Sequence, residues 1–256
     1  MAGAFVGLSL HLGAVASAFA DDGGLCAPAS IQALRLSTWR PPTPHGFHEF
    51  RESTVLELPR EMGTLVVELW GGGGGGGGGS IGHGGSAIDN GSGGGGGASG
   101  SYARGAMAGS PARRYTLIVG QSGLGGTSEG PAVATAGQDG GDSYLCEADR
   151  LLVWAPGGSG GQASVGETKA GARGRGHLPE LAPQIMDTTL LRQGEDGRDG
   201  LTQLFDSPGS GGAGGRPVVG SLKPLEAWGG DGAPGAWSEP RGDGKRGGGG
   251  SIILAW

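Results

Sequence analysis

The chain has 256 residues, of which 63 are glycine, and its formal net charge is -6 at pH 7. Collagen needs glycine at every third residue throughout, whereas the glycines here include solid blocks at 71–79, 93–97 and 247–250, so a collagen helix is excluded. The mild negative charge and the absence of a lysine and arginine cluster exclude the basic patch of a nucleic-acid-binding surface.

The first twenty residues are small and apolar, and they end in Ala18-Phe19-Ala20 before the polar pair Asp21-Asp22. This pattern predicts a secretory signal over residues 1–20, although no basic residue precedes the apolar run. The alternative is an N-terminal strand or a buried helix of the mature fold. No later apolar run is long enough to cross a bilayer, so the sequence predicts a protein that is secreted or held at the cell surface.

Two cysteines follow, Cys26 and Cys146. An even number of cysteines in an exported chain predicts a disulfide; the alternative is two buried free thiols. Residues 21–46 have the composition of a leader or linker, with the proline-rich stretch 41–44 near their end. We expect the folded module to occupy residues 47–256.

Short β-branched and apolar runs, each bounded by glycine or proline, predict strands. In chain order they are 54–58, 64–70, 101–106, 115–119, 143–146, 151–154 and 251–256. The short link between the first two predicts a hairpin. An insert at 173–206 contains less glycine, and its stretch 183–192 predicts one short helix. These elements predict an all-β fold of the sandwich or barrel type.

The glycine blocks are too long for hairpin loops. Extended three-residue helices of the polyproline II kind make no internal hydrogen bonds, so their buried amides and carbonyls must bond to neighbours. Helices made of glycine can pack side by side because no Cβ separates them. The blocks therefore predict a packed bundle of polyglycine II helices inserted in the sandwich; the alternative is flexible linkers.

The order of these pieces also resembles a known family. The quoted runs are VELW followed by polyglycine, GSYARG at 100–105, YTLIVGQSG at 115–123, LLVWAPGGSGG at 151–161 and GSIILAW at 250–256. They resemble the glycine-rich extracellular domain of the anaplastic lymphoma kinase and leukocyte tyrosine kinase receptors, and the glycine-rich modules of bacterial surface proteins and phage tail adhesins. The resemblance implies a tumour-necrosis-factor-like β-sandwich with a polyglycine bundle, and a binding function. No kinase domain or receptor signalling is carried over.

Patterns typical of enzymes are weak here. Gly157 to Gly161 matches G-x-S-x-G with Ser159 at its centre, but this motif requires a following helix, and the only later histidine is His177. In a chain so rich in glycine the match is expected by chance. His45 and His48 have no further ligand type nearby, so the sequence predicts no metal, no cofactor and no catalytic site.

Candidate binding residues lie in loops. Trp228 and Trp237 stand between glycines and prolines; exposed tryptophan is typical of binding hot spots, and a lid over the bundle is the alternative. The tripeptide Arg241, Gly242 and Asp243 could be recognised by adhesion receptors, and Asn90 begins an N-glycosylation acceptor motif.

Three functions compete at this point. The first is a non-catalytic extracellular binding module whose partner is a protein or a surface glycan, with the tips of the glycine bundle and loops 221–246 as the contact surface. The second is a structural or adhesive surface protein, for which self-association is expected. The third is ice binding by a regular face of small residues.

Overall fold

The computed structural model describes residues 26, 37–41, 45–58, 63–80, 91–109, 113–130, 133–165, 170–181, 190–202, 210–216 and 242–256. The predicted signal at 1–20 therefore lies outside the described residues, together with Asn90, Trp228, Trp237 and Arg241. Most of the predicted helix, from residue 183 to 189, also lies outside them.

Strands alone make up the regular secondary structure of the described residues. They are β1 Ser37–Trp39, β2 Phe47–Phe50, β3 Thr54–Glu57, β4 Thr64–Trp70, β5 Tyr102–Ala108, β6 Arg114–Ile118, β7 Ser128–Gly130, β8 Val133–Ala134, β9 Ser143–Glu147, β10 Arg150–Ala155, β11 Glu180–Leu181, β12 Leu190–Arg192 and β13 Ser251–Ala255. The seven strands predicted from the sequence are confirmed as β3, β4, β5, β6, β9, β10 and β13, with small shifts at their ends.

Two sheets form a sandwich, as the sequence predicts. One sheet has the order β1-β3-β6-β9-β10-β11 and the other has the order β12-β5-β4-β13-β2, while β7 and β8 form a separate pair. The predicted hairpin of β3 and β4 is wrong, because these strands lie in different sheets. Leu56 of β3 and Val67 of β4 both belong to the central core, so the two strands face each other across it instead of pairing edge to edge.

Side chains on the two faces of β4 belong to two different buried clusters. Leu65, Val67 and Leu69 are buried in the central core. Trp70 points to the other face, where it packs with Tyr102 and Ile253 in a second buried cluster. Because successive side chains of a strand point to opposite faces, β4 is covered on both sides.

The segment predicted to be a leader contributes to the fold. Its residues Ser37–Trp39 form β1, which runs parallel to β3. Trp39 stacks on His48 with ring centroids 4.7 Å apart and meets Trp256 edge-on at 5.5 Å. This aromatic cluster lies where the edge strands β1 and β2 approach each other. Partial burial of the apolar surface of Trp39 favours packing of this segment on the sandwich. The proline-rich composition of the segment does not indicate this packing.

Residues 190–192 form the edge strand β12, paired antiparallel with β5. The helix predicted over 183–192 is therefore wrong at its C-terminal end. The apolar spacing that suggested it places Leu190 beside the Trp70 cluster instead.

The glycine-rich stretches form a bundle of extended segments. We number these segments I to IX, and they cover residues 71–80, 91–101, 120–127, 135–141, 156–164, 171–177, 194–201, 210–216 and 242–250. Segment I leaves β4 directly and segment II leads directly into β5. The bundle therefore grows out of one end of the sandwich, and we call its far end the outer end.

Segment I is the axis of the bundle. Its amides donate in rotation to three antiparallel neighbours: Gly74 to Ala98 of segment II, Gly75 to Gln138 of segment IV and Gly76 to Lys245 of segment IX, each at 2.9 Å. Its carbonyls accept from two parallel neighbours, segments V and III. The same three bonds recur every third residue from Gly71 to Ser80, which is the period of polyglycine II. The packed bundle is confirmed, and the linker alternative is wrong.

Steric limits explain why glycine is required along this axis. A Cβ on Gly75 would lie 2.0 Å from the carbonyl oxygen of Leu124, and one on Gly74 would lie 2.3 Å from that of Ser159. Both distances are far below van der Waals contact, and the atoms in the way are backbone. Side chains are therefore excluded from these positions of segment I.

Candidate functional site: the Trp154 groove and the outer end of the bundle

The outer end of the bundle is closed by hydroxyl side chains. The Ser80 amide donates to Oγ of Ser164 at 2.6 Å, and the Ser92 amide donates to Oγ of Ser80 at 2.9 Å. The Thr127 amide donates to Oγ1 of Thr135 at 2.8 Å. Hydroxyl oxygens of short side chains thus add acceptors at this end, where the Ser80 amide also donates to the Ser92 carbonyl at 3.0 Å.

Two predicted binding residues, Gly242 and Asp243, lie at this outer end. The Gly242 carbonyl accepts a hydrogen bond from the Gly79 amide at 3.0 Å. Oδ1 of Asp243 accepts one from the Ser128 amide at 2.9 Å. The tripeptide that begins at Arg241 is therefore built into the bundle at its second and third residues, and one carboxylate oxygen of Asp243 already has a partner.

A groove with a volume of about 370 Å³ opens where the bundle meets the sandwich. We call it the Trp154 groove. Its lining consists of Asp139, Gly140, Asp142, Trp154, Pro156, Gly157, His177 and Leu178. Trp154 lies in β10. Asp139 lies in segment IV, and Asp142 directly follows that segment. His177 ends segment VI, and Leu178 directly follows it.

The bundle holds both aspartates of the groove in place. Oδ1 of Asp139 accepts from the Gly160 amide at 2.7 Å, and Oδ1 of Asp142 accepts from the Gly157 amide at 2.9 Å. The spacing of three residues on each segment keeps the two bonds in register. The carboxylates are thus fixed to a rigid backbone before any ligand arrives.

Ser159 lies beside His177, which lines the groove. Oγ of Ser159 and Nε2 of His177 lie 2.9 Å apart, so the serine of the G-x-S-x-G match and the histidine that follows it in the sequence are neighbours in space. A nucleophilic serine also needs the amide of the following residue to stabilise an oxyanion. Here that amide belongs to Gly160 and is bonded to Asp139, and segment V continues as an extended strand of the bundle instead of a helix.

Trp154 connects the groove to the disulfide. The structure joins Cys26 and Cys146 in a disulfide, which packs with Leu151, Tyr144 and Trp154 on the outer face of its sheet. The Trp154 side chain is half-buried, and its Nε1 has no hydrogen-bond partner among the described residues. Burial, and then the nearby Asp142 carboxylate, raise the pKa of the Tyr144 phenol above its ordinary value.

This set of groups can bind a polyhydroxylated ligand. A partly exposed indole offers an apolar face to a ring, and the second oxygens of fixed carboxylates accept hydrogen bonds from hydroxyl groups. Leu178 is 68% exposed and adds an apolar rim. A sugar ring, which has apolar C–H faces and an equator of hydroxyl groups, fits this combination.

The histidines predicted to lack a metal partner have structural neighbours. His48 stacks on Trp39 and meets Phe50 at 4.6 Å. Among the residues that the structure describes, no group of three or more His, Cys, Asp or Glu side chains is placed to hold a metal ion. The described residues also contain no helix that is long and apolar enough to cross a membrane.

Sequence reasoning missed the Trp154 groove. Trp154, Asp139 and Asp142 are not among the candidate binding residues that the sequence indicates. A signal was nevertheless present, because the run Gly-Gln-Asp-Gly-Gly-Asp at 137–142 and the run Gly-Glu-Asp-Gly-Arg-Asp at 194–199 share one spacing of glycine and aspartate. Asp196 and Asp199 of the second run also accept from backbone amides, those of Gly176 and Arg173.

Comparison with known families gives one match. The sequence model of the glycine-rich domain family matches residues 50–256, which include the whole bundle and both sheets apart from β1 and most of β2. No curated protein sequence matches the chain at a significant level.

Proposed function

We propose that this chain, which belongs to the glycine-rich domain family, is a non-catalytic extracellular binding module that holds a saccharide of a surface glycan in the Trp154 groove. The resemblance to the glycine-rich domain of receptor ectodomains favours the same general role. The observation that carries the proposal is the pair of aspartates, Asp139 and Asp142, fixed by backbone amides beside a half-buried tryptophan.

Preorganisation supports binding at this place. A ligand that meets groups already held in position orders fewer side chains on binding. Glycine segments V and IV are bonded to each other and to segment I along their length, so the aspartates are held by backbone hydrogen bonds that need little further ordering. The volume of about 370 Å³ is at the small end of ligand pockets and suits one or two sugar rings.

The geometry around Ser159 supports a non-catalytic role. Its neighbour His177 could accept a proton, but the Gly160 amide is already bonded to Asp139 at 2.7 Å. The amide of Ser159 itself donates to the carbonyl of Arg175 at 3.0 Å. Both backbone donors nearest to the hydroxyl are therefore used in holding the bundle together, and a tetrahedral oxyanion would find no free amide there.

The disulfide supports an extracellular location. Structural disulfides persist in oxidising compartments and are rare in the cytosol. Cys26 and Cys146 are both buried in the structure, which protects the bond from exchange with other thiols.

Saturation-transfer NMR with a panel of soluble oligosaccharides would test the proposal. We expect binding by the unmodified protein, its loss in Trp154→Ala, and weaker binding in Asp139→Asn. The asparagine keeps an oxygen for the Gly160 amide and removes only the charge. Val165→Ala, at the exposed outer end, is the control and should bind normally.

Two results would overturn the assignment. If no oligosaccharide of the panel bound, the glycan class would be wrong. If binding survived Trp154→Ala but was lost on changing residues of the outer end, the contact surface would lie at that end, where a protein ligand is the better candidate. Labelling of Ser159 by a fluorophosphonate probe would contradict the non-catalytic role.

A structural or adhesive role is favoured by one feature, the edge strand β2. Phe47 of this strand is 75% exposed, and β2 lies at the edge of the five-stranded sheet. An exposed edge with an apolar side chain can pair with a second copy. Sedimentation equilibrium would show this as association that Phe47→Lys abolishes, whereas a purely monomeric protein would count against it.

Ice binding has less support. Exposed or partly exposed side chains of segments IV, VI and VII include Asp139, Arg173, Asp196 and Asp199. Their charges interrupt a regular face of small residues. The absence of thermal hysteresis would remove this alternative.

A further inference from the structure

The described lining of the Trp154 groove carries more negative than positive charge. Asp139 and Asp142 contribute two carboxylates, and of the described residues that line the groove only His177 can carry a positive charge. Nε2 of that histidine already lies 2.9 Å from Oγ of Ser159. Even with a charged histidine the carboxylates are in excess, so the groove offers a negative surface to a ligand.

Each carboxylate of the groove keeps one oxygen for a ligand. Oδ1 of Asp139 accepts from the Gly160 amide, and Oδ1 of Asp142 accepts from the Gly157 amide. Among the described residues, no further hydrogen bond or ion pair engages either carboxylate. Asp139 is exposed and Asp142 is half-buried, so a ligand can reach both Oδ2 atoms.

The period of the bundle sets the distance between the two carboxylates. The amides that hold them, those of Gly157 and Gly160, are three residues apart on segment V. At about 3.1 Å per residue, the two bonded oxygens lie roughly 9 Å from each other. An ammonium nitrogen bonds an acceptor oxygen at about 2.8 Å. This spacing therefore favours two cations, one for each carboxylate, over a single shared ion.

We propose that the saccharide held in the Trp154 groove is an oligomer of amino sugars whose amino groups are free and protonated. The inference rests on the proposed function and names the class of sugar. Ammonium groups on different rings of one oligomer donate charge-assisted hydrogen bonds to Asp139 and Asp142, and such bonds are stronger than neutral ones. The Trp154 indole packs against a ring and also attracts a cation through its face.

The same groups disfavour other ligands. An acidic sugar would bring its own carboxylate towards two fixed carboxylates, which is repulsive. An N-acetylated amino sugar keeps the ring and loses the charge, so it retains only ring packing and neutral hydrogen bonds. A lysine-rich protein segment carries ammonium groups, but its flexible side chains lose more conformational freedom on binding and offer no ring to Trp154.

Isothermal titration calorimetry of the full chain with two matched ligands tests the proposal. The ligands are the trimer of glucosamine and the trimer of N-acetylglucosamine, in mildly acidic buffer where the free amino groups are protonated. An exposed ion pair changes a binding constant by roughly twofold to fivefold, so we expect the glucosamine trimer to bind about tenfold more tightly. Added salt should reduce this preference because it screens exposed charges.

A double variant and a matched control locate the preference. Asp139→Asn combined with Asp142→Asn keeps an oxygen for each backbone amide and removes both charges, so the two trimers should bind it with similar affinity. Asp199→Asn is the control, because Asp199 also accepts from a backbone amide, that of Arg173, but does not line the groove. Its preference for the glucosamine trimer should equal that of the unmodified protein.

Four outcomes would overturn the amino-sugar assignment. Equal binding of the two trimers, or tighter binding of the acetylated one, would reject it and leave the saccharide function standing. Binding of neither trimer would also reject it, and if no other oligosaccharide bound, the proposed function would fall as well. An equal loss of preference in Asp199→Asn would assign the attraction to the net charge of the chain. Trilysine that binds as tightly as the glucosamine trimer, and loses binding in Trp154→Ala, would assign the groove to a protein partner.

The comparison of the two trimers is made in the unmodified protein, so it decides the question even if a variant does not fold.

Discussion

The backbone amide of Gly160 donates a hydrogen bond of 2.7 Å to Oδ1 of Asp139. The acceptor is a side chain from the neighbouring segment, in a place where the interior of the bundle uses a carbonyl. The same substitution recurs at the pairs Gly157 with Asp142, Gly176 with Asp196 and Arg173 with Asp199. These aspartates thus supply acceptors at places where no described segment offers a carbonyl.

Asp139→Ala should destabilise the protein. It leaves the Gly160 amide without its acceptor, and hydrogen bonds to charged groups contribute about 1.5–3 kcal/mol. We expect a loss in the lower half of this range, because the site is only part-buried and water can replace the carboxylate. Guanidinium unfolding would measure it.

Asp139→Asn is the matched control, because its amide oxygen can still accept from Gly160. Its free energy of unfolding should stay within about 0.5 kcal/mol of the unmodified protein, as expected of changes that break no structural feature. Equal losses in the two variants would mean that charge, and not the acceptor oxygen, stabilises the segment.

The interior of the bundle could be predicted from the sequence, whereas most of its border could not. In segment I every residue faces a neighbour, so the block of consecutive glycines at 71–79 reveals it directly. Segments VI and VII lie largely in the stretch 173–206, which was interpreted as an insert poor in glycine. They need glycine only where a Cβ would meet backbone, as at Gly174 and Gly197. The remaining positions face solvent and carry ordinary side chains.

Strand existence was predictable and strand partnership was not. Thr64–Trp70 has the β-branched and apolar composition of a strand, and β4 has these bounds. The antiparallel partner of β3 is β6, which is far along the chain, and this pairing depends on packing across the whole sandwich. The groove was missed for a related reason, because Trp154 and His177 become neighbours only when segment VI docks beside segment V.

Removing the disulfide should lower stability substantially. Cys26 and Cys146 are separated by 120 residues, and loss of a native disulfide typically costs about 2–5 kcal/mol. We expect Cys26→Ser combined with Cys146→Ser to unfold at lower denaturant concentration than the oxidised protein. Reductant should destabilise the unmodified protein and leave the double variant unchanged; an equal response of both would show that the bond is not the cause.

Tyr144 predicts a loss of stability at alkaline pH. Burial raises the pKa of its phenol above the ordinary value of 10.0, so the folded state binds the proton more tightly than the unfolded state. Its contribution is therefore fully present below pH 10 and is lost as the pH rises through the folded pKa. Urea unfolding of Tyr144→Phe should show a smaller decline above pH 10 than the unmodified protein, and parallel declines would assign the effect to other groups.

Gly247→Ala and Gly249→Ala separate the steric requirement of the bundle from the general effect of removing a glycine. A Cβ on Gly247 would lie 2.1 Å from the carbonyl oxygen of Gly73, whereas one on Gly249 would have no atom within 4 Å. Overpacking costs about 1–3 kcal/mol and sometimes more, and here it also displaces segment IX from segment I. Alanine in place of an unhindered glycine restricts the unfolded chain and stabilises by about 0.4–1 kcal/mol. We therefore expect opposite signs in the free energies of unfolding for two substitutions that lie two residues apart in one segment. Equal effects would mean that the bundle tolerates side chains at its interior contacts, which the close backbone packing around Gly73 does not permit.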